Sequence, residues 1–202
     1  MGLDMYLKKR VYQYRKADGT LTHDFKACKF DRFGRSNGTE VSTQAAYWRK
    51  ANHIHKWFVE NVCDGKDDCH EYYCDKDKLV ELRGICIDIL KTLQGQVITV
   101  PKGKVEDYKE SFDGKEPTEV RIDVDSISDW YDQLTYQHEL TDRQSKKLAA
   151  VAKDYLPRQE GFFFGSKEYN LGYVLDLAVT VIMLDEILAD AEVADYYYEA
   201  SW

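Results

Sequence analysis

The stretch Tyr47-Trp48-Arg49-Lys50-Ala51-Asn52-His53-Ile54-His55-Lys56-Trp57-Phe58 puts two tryptophans, two histidines and three basic side chains into an otherwise acidic chain. The spacing of Tyr47, Ala51, Ile54, Phe58 and Val62 predicts a single helix with one buried stripe. Trp48 and His55 then lie beside the stripe, while Arg49, Asn52, His53 and Lys56 take the other side. Ser42 or Thr43 is the expected cap, and Asp64-Gly65 the expected break after Val62. Such a helix offers stacking surfaces and donors to a flat, anionic ligand. The same pattern also suits a core helix with a solvated face.

Outward from this stretch, 202 residues with 44% hydrophobic and 32% charged side chains and a mean hydropathy of -0.58 describe a globular chain with one substantial core. A net charge of -8 excludes generic nucleic-acid binding, which needs a surplus of Lys and Arg, and leaves an acidic surface suited to a basic partner. Fifteen tyrosines are too many for a core alone, so some belong at half-exposed positions where the ring packs and the hydroxyl stays wet. No segment reads as a signal peptide, and the apolar run Leu177–Leu184 is too short to span a bilayer; the expected location is the cytoplasm, with no membrane partner. A homo-oligomer is compatible with all of this.

Five cysteines, an odd number, fit a reducing compartment better than a disulfide framework. Cys63, Cys69, His70 and Cys74 are the candidate metal ligands, but their spacing lacks the short paired knuckles of structural zinc sites. The expectation is no disulfide, no metal and no cofactor.

Leu3, Met5 and Leu7 alternate with polar neighbours and predict a strand over residues 3–14. Ala17–Thr20 is a turn signal, after which 21–33 reads as a returning strand. Asp75 caps a helix whose Leu79, Leu82, Cys86, Ile89 and Leu93 share a face, closed by Gly95. Residues 96–100 and 119–124 are strand-prone and bracket an excursion at about 100–126, with Pro101–Pro117 at its centre. Capping boxes at Ser126–Asp129 and Thr141–Gln144 open two more helices, and Pro157 stops the second. Gly161–Gly165 reads as a compact strand that would share a sheet with Leu3, Met5 and Leu7. A long final helix and an acidic, aromatic tail at about 191–202 complete one α+β domain over 1–202: helices around a small, mainly antiparallel sheet.

His53 and His55, two apart on a helix, point about 200° from each other and cannot share a metal ion. Either is a candidate acid or base with a carboxylate from Asp64, Asp67, Asp68 or Glu71; the plainer reading is a buried histidine bonded to its surroundings. Ser166, Tyr169 and Tyr173 stand at the mouth of the last helix, whose free N–H groups suit an anion unless a capping side chain takes them.

The start Met1-Gly2-Leu3-Asp4-Met5-Tyr6-Leu7, the Tyr47–Phe58 stretch, the Asp64–Tyr73 loop and Gly161–Ser166 with Tyr169 together resemble a family of small bacteriophage and prophage proteins. The resemblance spans most of the chain except about 100–126 and the tail. It implies an accessory protein acting on the host and carries no settled activity. Related sequences tend to have an acidic residue and further tyrosines after Gly-Phe-Phe-Phe-Gly-Ser; here Asn170 and Leu171-Gly172-Tyr173 stand instead.

The leading expectation is a non-enzymatic protein that binds a small anionic, nucleotide-like ligand, sequestering a host defence signal. Trp48 or Trp57 would stack on a base, Arg49, Lys50 or Lys56 would pair phosphates, Asn52 and His55 would line the pocket, and Ser166, Tyr169 and Tyr173 would close it. One alternative is an inhibitor of a host defence protein that uses an acidic, tyrosine-rich surface and the Pro101–Pro117 excursion as its interface. Another is a phosphodiester hydrolase or transferase with His53 or His55 as acid or base.

Overall fold

Period-two alternation sends Met5 and Leu7 to one side of the first strand and Asp4, Tyr6 and Lys8 to the other, and two flanking strands satisfy its backbone. The computed structural model describes residues 2–13, 16–21, 40–161 and 165–202. In chain order these form β1 (Asp4–Tyr12), β2 (Glu40–Arg49), α1 (Asn52–Asn61), β3 (Tyr72–Cys74), α2 (Lys76–Leu90) and β4 (Val97–Thr99). Then follow α3 (Val105–Ser111), β5 (Glu119–Arg121), α4 (Ile127–Tyr131), α5 (Asp142–Tyr155), α6 (Leu171–Ala189) and β6 (Asp195–Ser201). The main sheet has the order β2-β1-β6-β3, antiparallel throughout, and β4 and β5 form a separate antiparallel pair. This is the α+β class expected. No described helix is long and apolar enough to cross a membrane.

The stretch Tyr47–Phe58 is not one helix. Tyr47, Trp48 and Arg49 end β2, Lys50 takes a left-handed turn at φ 59°, and α1 begins only at Asn52. Ala51, Ile54 and Phe58 are buried as the stripe requires, but Tyr47, ahead of the Lys50 turn, is on the solvent side. Trp48 faces the core beside Met5, whereas Tyr47 faces solvent beside Tyr6. Ser42 and Thr43 are therefore strand residues and cap nothing. α1 starts without a side-chain cap and buries Ile54, Trp57 and Phe58.

Other expectations fare variously. Asp75 caps α2 by accepting from the Asp77 N–H at 3.0 Å, and Leu79, Leu82, Cys86, Ile89 and Leu93 are fully buried. Thr141 and Gln144 form their capping box, but Ser126 offers α4 only its backbone carbonyl. The excursion folds α3 into its centre: Tyr108 is fully buried and donates to the Pro117 carbonyl at 3.1 Å. The strands expected at 21–33 and 161–165 fall largely on residues 22–39 and 162–164, which lie outside the described residues, and so does the pairing of the latter with Leu3, Met5 and Leu7. The segment read as an acidic tail supplies β6, with Tyr196, Tyr198 and Ala200 buried and Asp195, Tyr197 and Glu199 on the opposite face.

The core lies between the inner face of the sheet and α1, α2 and α6. Phe58 stacks on Tyr198 with ring centroids 4.0 Å apart and planes within 6°, and touches Trp48 and Trp57 at 5.7 and 5.3 Å. Phe58→Ala should cost about 3–5 kcal/mol, because the cavity would sit where helix and sheet meet; urea denaturation will measure it. Cys63, Cys69, Cys74 and Cys86 are all free thiols. Burial pushes the first and third up to about 12 and also raises Cys86, whereas Cys69 is exposed. A short pulse of alkylating reagent at neutral pH, read by peptide mass mapping, should label Cys69 and spare the other three.

Candidate functional site

Helical geometry turns the two histidines of α1 to opposite sides, and each meets a different carboxylate. His55 is buried between Tyr198, whose hydroxyl lies 2.8 Å from Nδ1, and Asp67, whose carboxylate lies 3.1 Å from Nε2. Trp202 Nε1 also donates to Asp67, at 3.3 Å. This chain joins the loop after α1 to β6, and burial raises the Tyr198 phenol well above its usual range, keeping it a donor.

His53 faces the other way, into a polar joint between α1, α6 and the connector 156–170. Its Nδ1 accepts from Arg158 at 3.2 Å, its ring lies 4.3 Å from Tyr173, and Asp176 stands 4.0 Å away. Burial, then the nearby guanidinium, hold the imidazole neutral by lowering its pKa well below normal. With Nδ1 accepting, the proton belongs on Nε2, which is buried and has no hydrogen-bond partner among the described residues. The Arg158 guanidinium is only 6% exposed; it lies 4.8 Å over the Tyr173 ring and 3.6 Å from Asp176. Burial raises Asp176 to about 7 against the opposing pull of Arg158.

The same joint ties down the connector. Arg158 Nε donates to the Glu168 carbonyl at 3.2 Å, and its backbone N–H donates to the Tyr169 hydroxyl at 3.3 Å. Asn52 accepts from the Gln159 N–H at 3.2 Å and donates to the Ser166 carbonyl at 3.1 Å. Tyr173 donates to the Leu156 carbonyl at 2.9 Å. Gly165, at φ 85°, passes so near Lys50 that a Cβ would come within 3.0 Å of the Lys50 carbonyl oxygen. Lys50, Asn52, Ser166, Tyr169 and Tyr173, read from two distant parts of the sequence, therefore do meet, but as a packed joint.

The remaining sites are scattered. Trp48 is buried, with Nε1 donating to Thr180 at 2.8 Å, and Trp57 is buried against Phe58; neither offers a face to a base. Arg49 is 63% exposed and 4.0 Å from Asp4, and Lys56 lies 3.7 Å from Glu60. Cys63 and Cys74 are buried, Cys69 and His70 are exposed, and the described residues contain no group of three or more His, Cys, Asp or Glu side chains placed to hold a metal. Two clefts, of about 550 and about 480 Å³, open elsewhere: one beside the start of α6, the other between α2, α6 and residues 124–128. None of the ten expected ligand residues lines either. Arg158 and Asp176 went unread; Arg158 has no local signature, but Asp176 is the lone charge between Leu171 and Leu184.

The outer face of the main sheet is a second candidate surface. Tyr6 and Tyr47 lie 5.4 Å apart, Tyr73 meets Tyr197 edge-on at 5.8 Å, and Tyr12 reaches the Tyr197 hydroxyl at 3.3 Å. Arg10 lies 4.2 Å over the Tyr197 ring and pairs with Glu71, while Lys8 bridges Glu71 and Glu199. These side chains share one face because Tyr6, Lys8 and Arg10 lie opposite Glu199, Tyr197 and Asp195. No protein-family model, curated protein or solved structure matches the chain.

The folded state holds the Asp176 proton up to about pH 7, whereas an unfolded aspartate loses it near 3.8. The contribution to stability is thus complete below pH 3.8 and is lost as pH rises through about 7. Asp176→Asn should gain stability relative to the parent between pH 4.5 and 8, measured as the difference of urea midpoints. A relative loss over that range would mean that the Arg158 ion pair outweighs burial.

Proposed function

We propose that the chain is a non-catalytic binding protein that engages another protein through the outer face of its main sheet. One observation carries the reading: Tyr6, Tyr12, Tyr47, Tyr73 and Tyr197 lie together on the solvent side, interleaved with Arg10, Lys8 and their carboxylates. Tyrosine and arginine dominate contact surfaces because they add large, stiff, amphipathic area at small entropic cost. Tyr73 is 54% exposed, a large aromatic area to leave in water without a partner.

Charge favours a basic partner. Residues 36–202 hold 19 Lys and Arg against 32 Asp and Glu, so most of the fold carries a strongly negative field that would draw a basic protein in. The resemblance to phage proteins makes a host protein the partner to seek, in the role of an inhibitor. The small-anion reading would have to work without Trp48 or Trp57 as its stacking platform, since both are enclosed. An acid–base role for His53 or His55 would have to work from beneath the surface, since both rings are buried.

The test is photocrosslinking in infected or expressing cells from a photoreactive residue at Tyr47 or Tyr73, with Val80 and Tyr155, exposed on helices, as controls. A single basic protein should be captured from the sheet positions only. With that protein purified, Tyr73→Ala should weaken binding by about tenfold or more, the size of a hot-spot aromatic, and association should slow as salt is raised. Capture from the helical positions alone, or Tyr73→Ala binding unchanged, would refute the reading.

A further inference from the structure

The cleft of about 550 Å³ lies between residues 136–145 and the first turns of α6, away from the sheet face and from His53 and His55; the histidine in its wall, His138, is buried, and burial lowers its pKa. Its apolar lining is Leu140, Leu171 and Leu175; Glu139 and Glu168 bring carboxylates, and among the described residues no Lys or Arg lines it. Tyr136 also lines the cleft, 83% exposed, so its ring is available to fold over an occupant. A volume of this size is typical of small-ligand sites.

The electrostatics select the sign of the occupant. Glu139 is already paired with Lys104 at 2.7 Å. Among the described residues no Lys or Arg is ion-paired with the Glu168 carboxylate: Arg158 spends its Nε on the Glu168 backbone carbonyl, and the carboxylate accepts from the Asn170 amide at 3.4 Å. The start of α6 contributes the equivalent of about half a positive charge, less than the full negative charge on Glu168. The first turn of α5, which supplies Ser145 to the cleft, carries Asp142 to balance its own dipole. Apolar lining, an uncompensated carboxylate and a free aromatic ring make the combination that holds an alkylammonium or guanidinium group by its stem, charge and face together.

We propose that this cleft binds an organic cation on an aliphatic stem, with Glu168 pairing the charge, Tyr136 covering it and Leu140, Leu171 and Leu175 receiving the stem. The cation can arrive as a free polyamine or as the Lys or Arg side chain of a polypeptide, and the two sources are separable by experiment.

The probes are spermidine, agmatine, blocked tripeptides with central Lys or Arg, and 1,8-octanediol as an uncharged stem of similar length. Methyl resonances of Leu140, Leu171 and Leu175 report occupancy in the intact chain. The cations should shift these resonances and the diol should not. Glu168→Gln and Tyr136→Ala, both surface changes, should each weaken the cation by about tenfold, as expected for the loss of one charge-assisted contact. Tighter binding of spermidine identifies a free polyamine site, and tighter binding of the tripeptides a side-chain site. Equal shifts with the diol, affinity unchanged in both variants, or no shift at these three leucines at millimolar cation would overturn the proposal. None of these outcomes depends on the sheet face.

Discussion

The pairing of β1 with β6 is the constraint on which the rest depends. Asp4 lies opposite Ser201 and Arg10 opposite Asp195, so the central ladder of the main sheet joins segments almost two hundred residues apart. β3 hangs on β6, and Tyr198, held in that ladder, is the surface on which Phe58 of α1 stacks. Loosening β6 would remove at once the partner of β3, the stacking platform of α1 and the hydroxyl beside His55. Contacts of such long sequence separation pay their loop-closure entropy before they return any burial, so the sheet should be among the last elements to form.

On the other side of α1 the chain accepts a polar cost. Arg158, His53 and Asp176 occupy ground that apolar side chains would fill more cheaply, since the guanidinium must surrender its water and the neutral imidazole and the carboxyl group their hydrogen bonds to it. In return the joint specifies geometry: the planar guanidinium meets a ring nitrogen, a carboxylate, a carbonyl and an aromatic face in one arrangement. The described parts of the connector, 156–161 and 165–170, have no regular structure and are thereby tied to α1 and α6.

What could be read from the sequence follows from which signals are local. The alternation of β1, the Asp75 cap, the Thr141–Gln144 box and the buried stripe of α2 rest on neighbours a few residues apart, and each is realised. In the Tyr47–Phe58 stretch the helical stripe holds from Ala51 onward, and nothing in the residue pattern marks the left-handed turn at Lys50 that puts Tyr47 on a strand. The alternation Asp195 to Ala200 was legible but was outweighed by its position beside a long helix. The partners of Asn52, His53 and His55 were beyond reach, because Gln159, Arg158 and Tyr198 come from more than a hundred residues away. Meeting points of that kind are set by topology and leave no periodic trace.

The adjacency of Asp4 and Ser201 also bears on how this fold can be rewired. Two segments that run side by side in one ladder can be joined by a short peptide, and the chain reopened at a surface turn such as Asp113-Gly114, where both residues already adopt positive φ. In such a circular permutant the central ladder becomes a local hairpin and the longest-range pairing in the sheet becomes one of its shortest. The same three-dimensional protein would then be reached by a different order of assembly, with β1 and β6 able to lead.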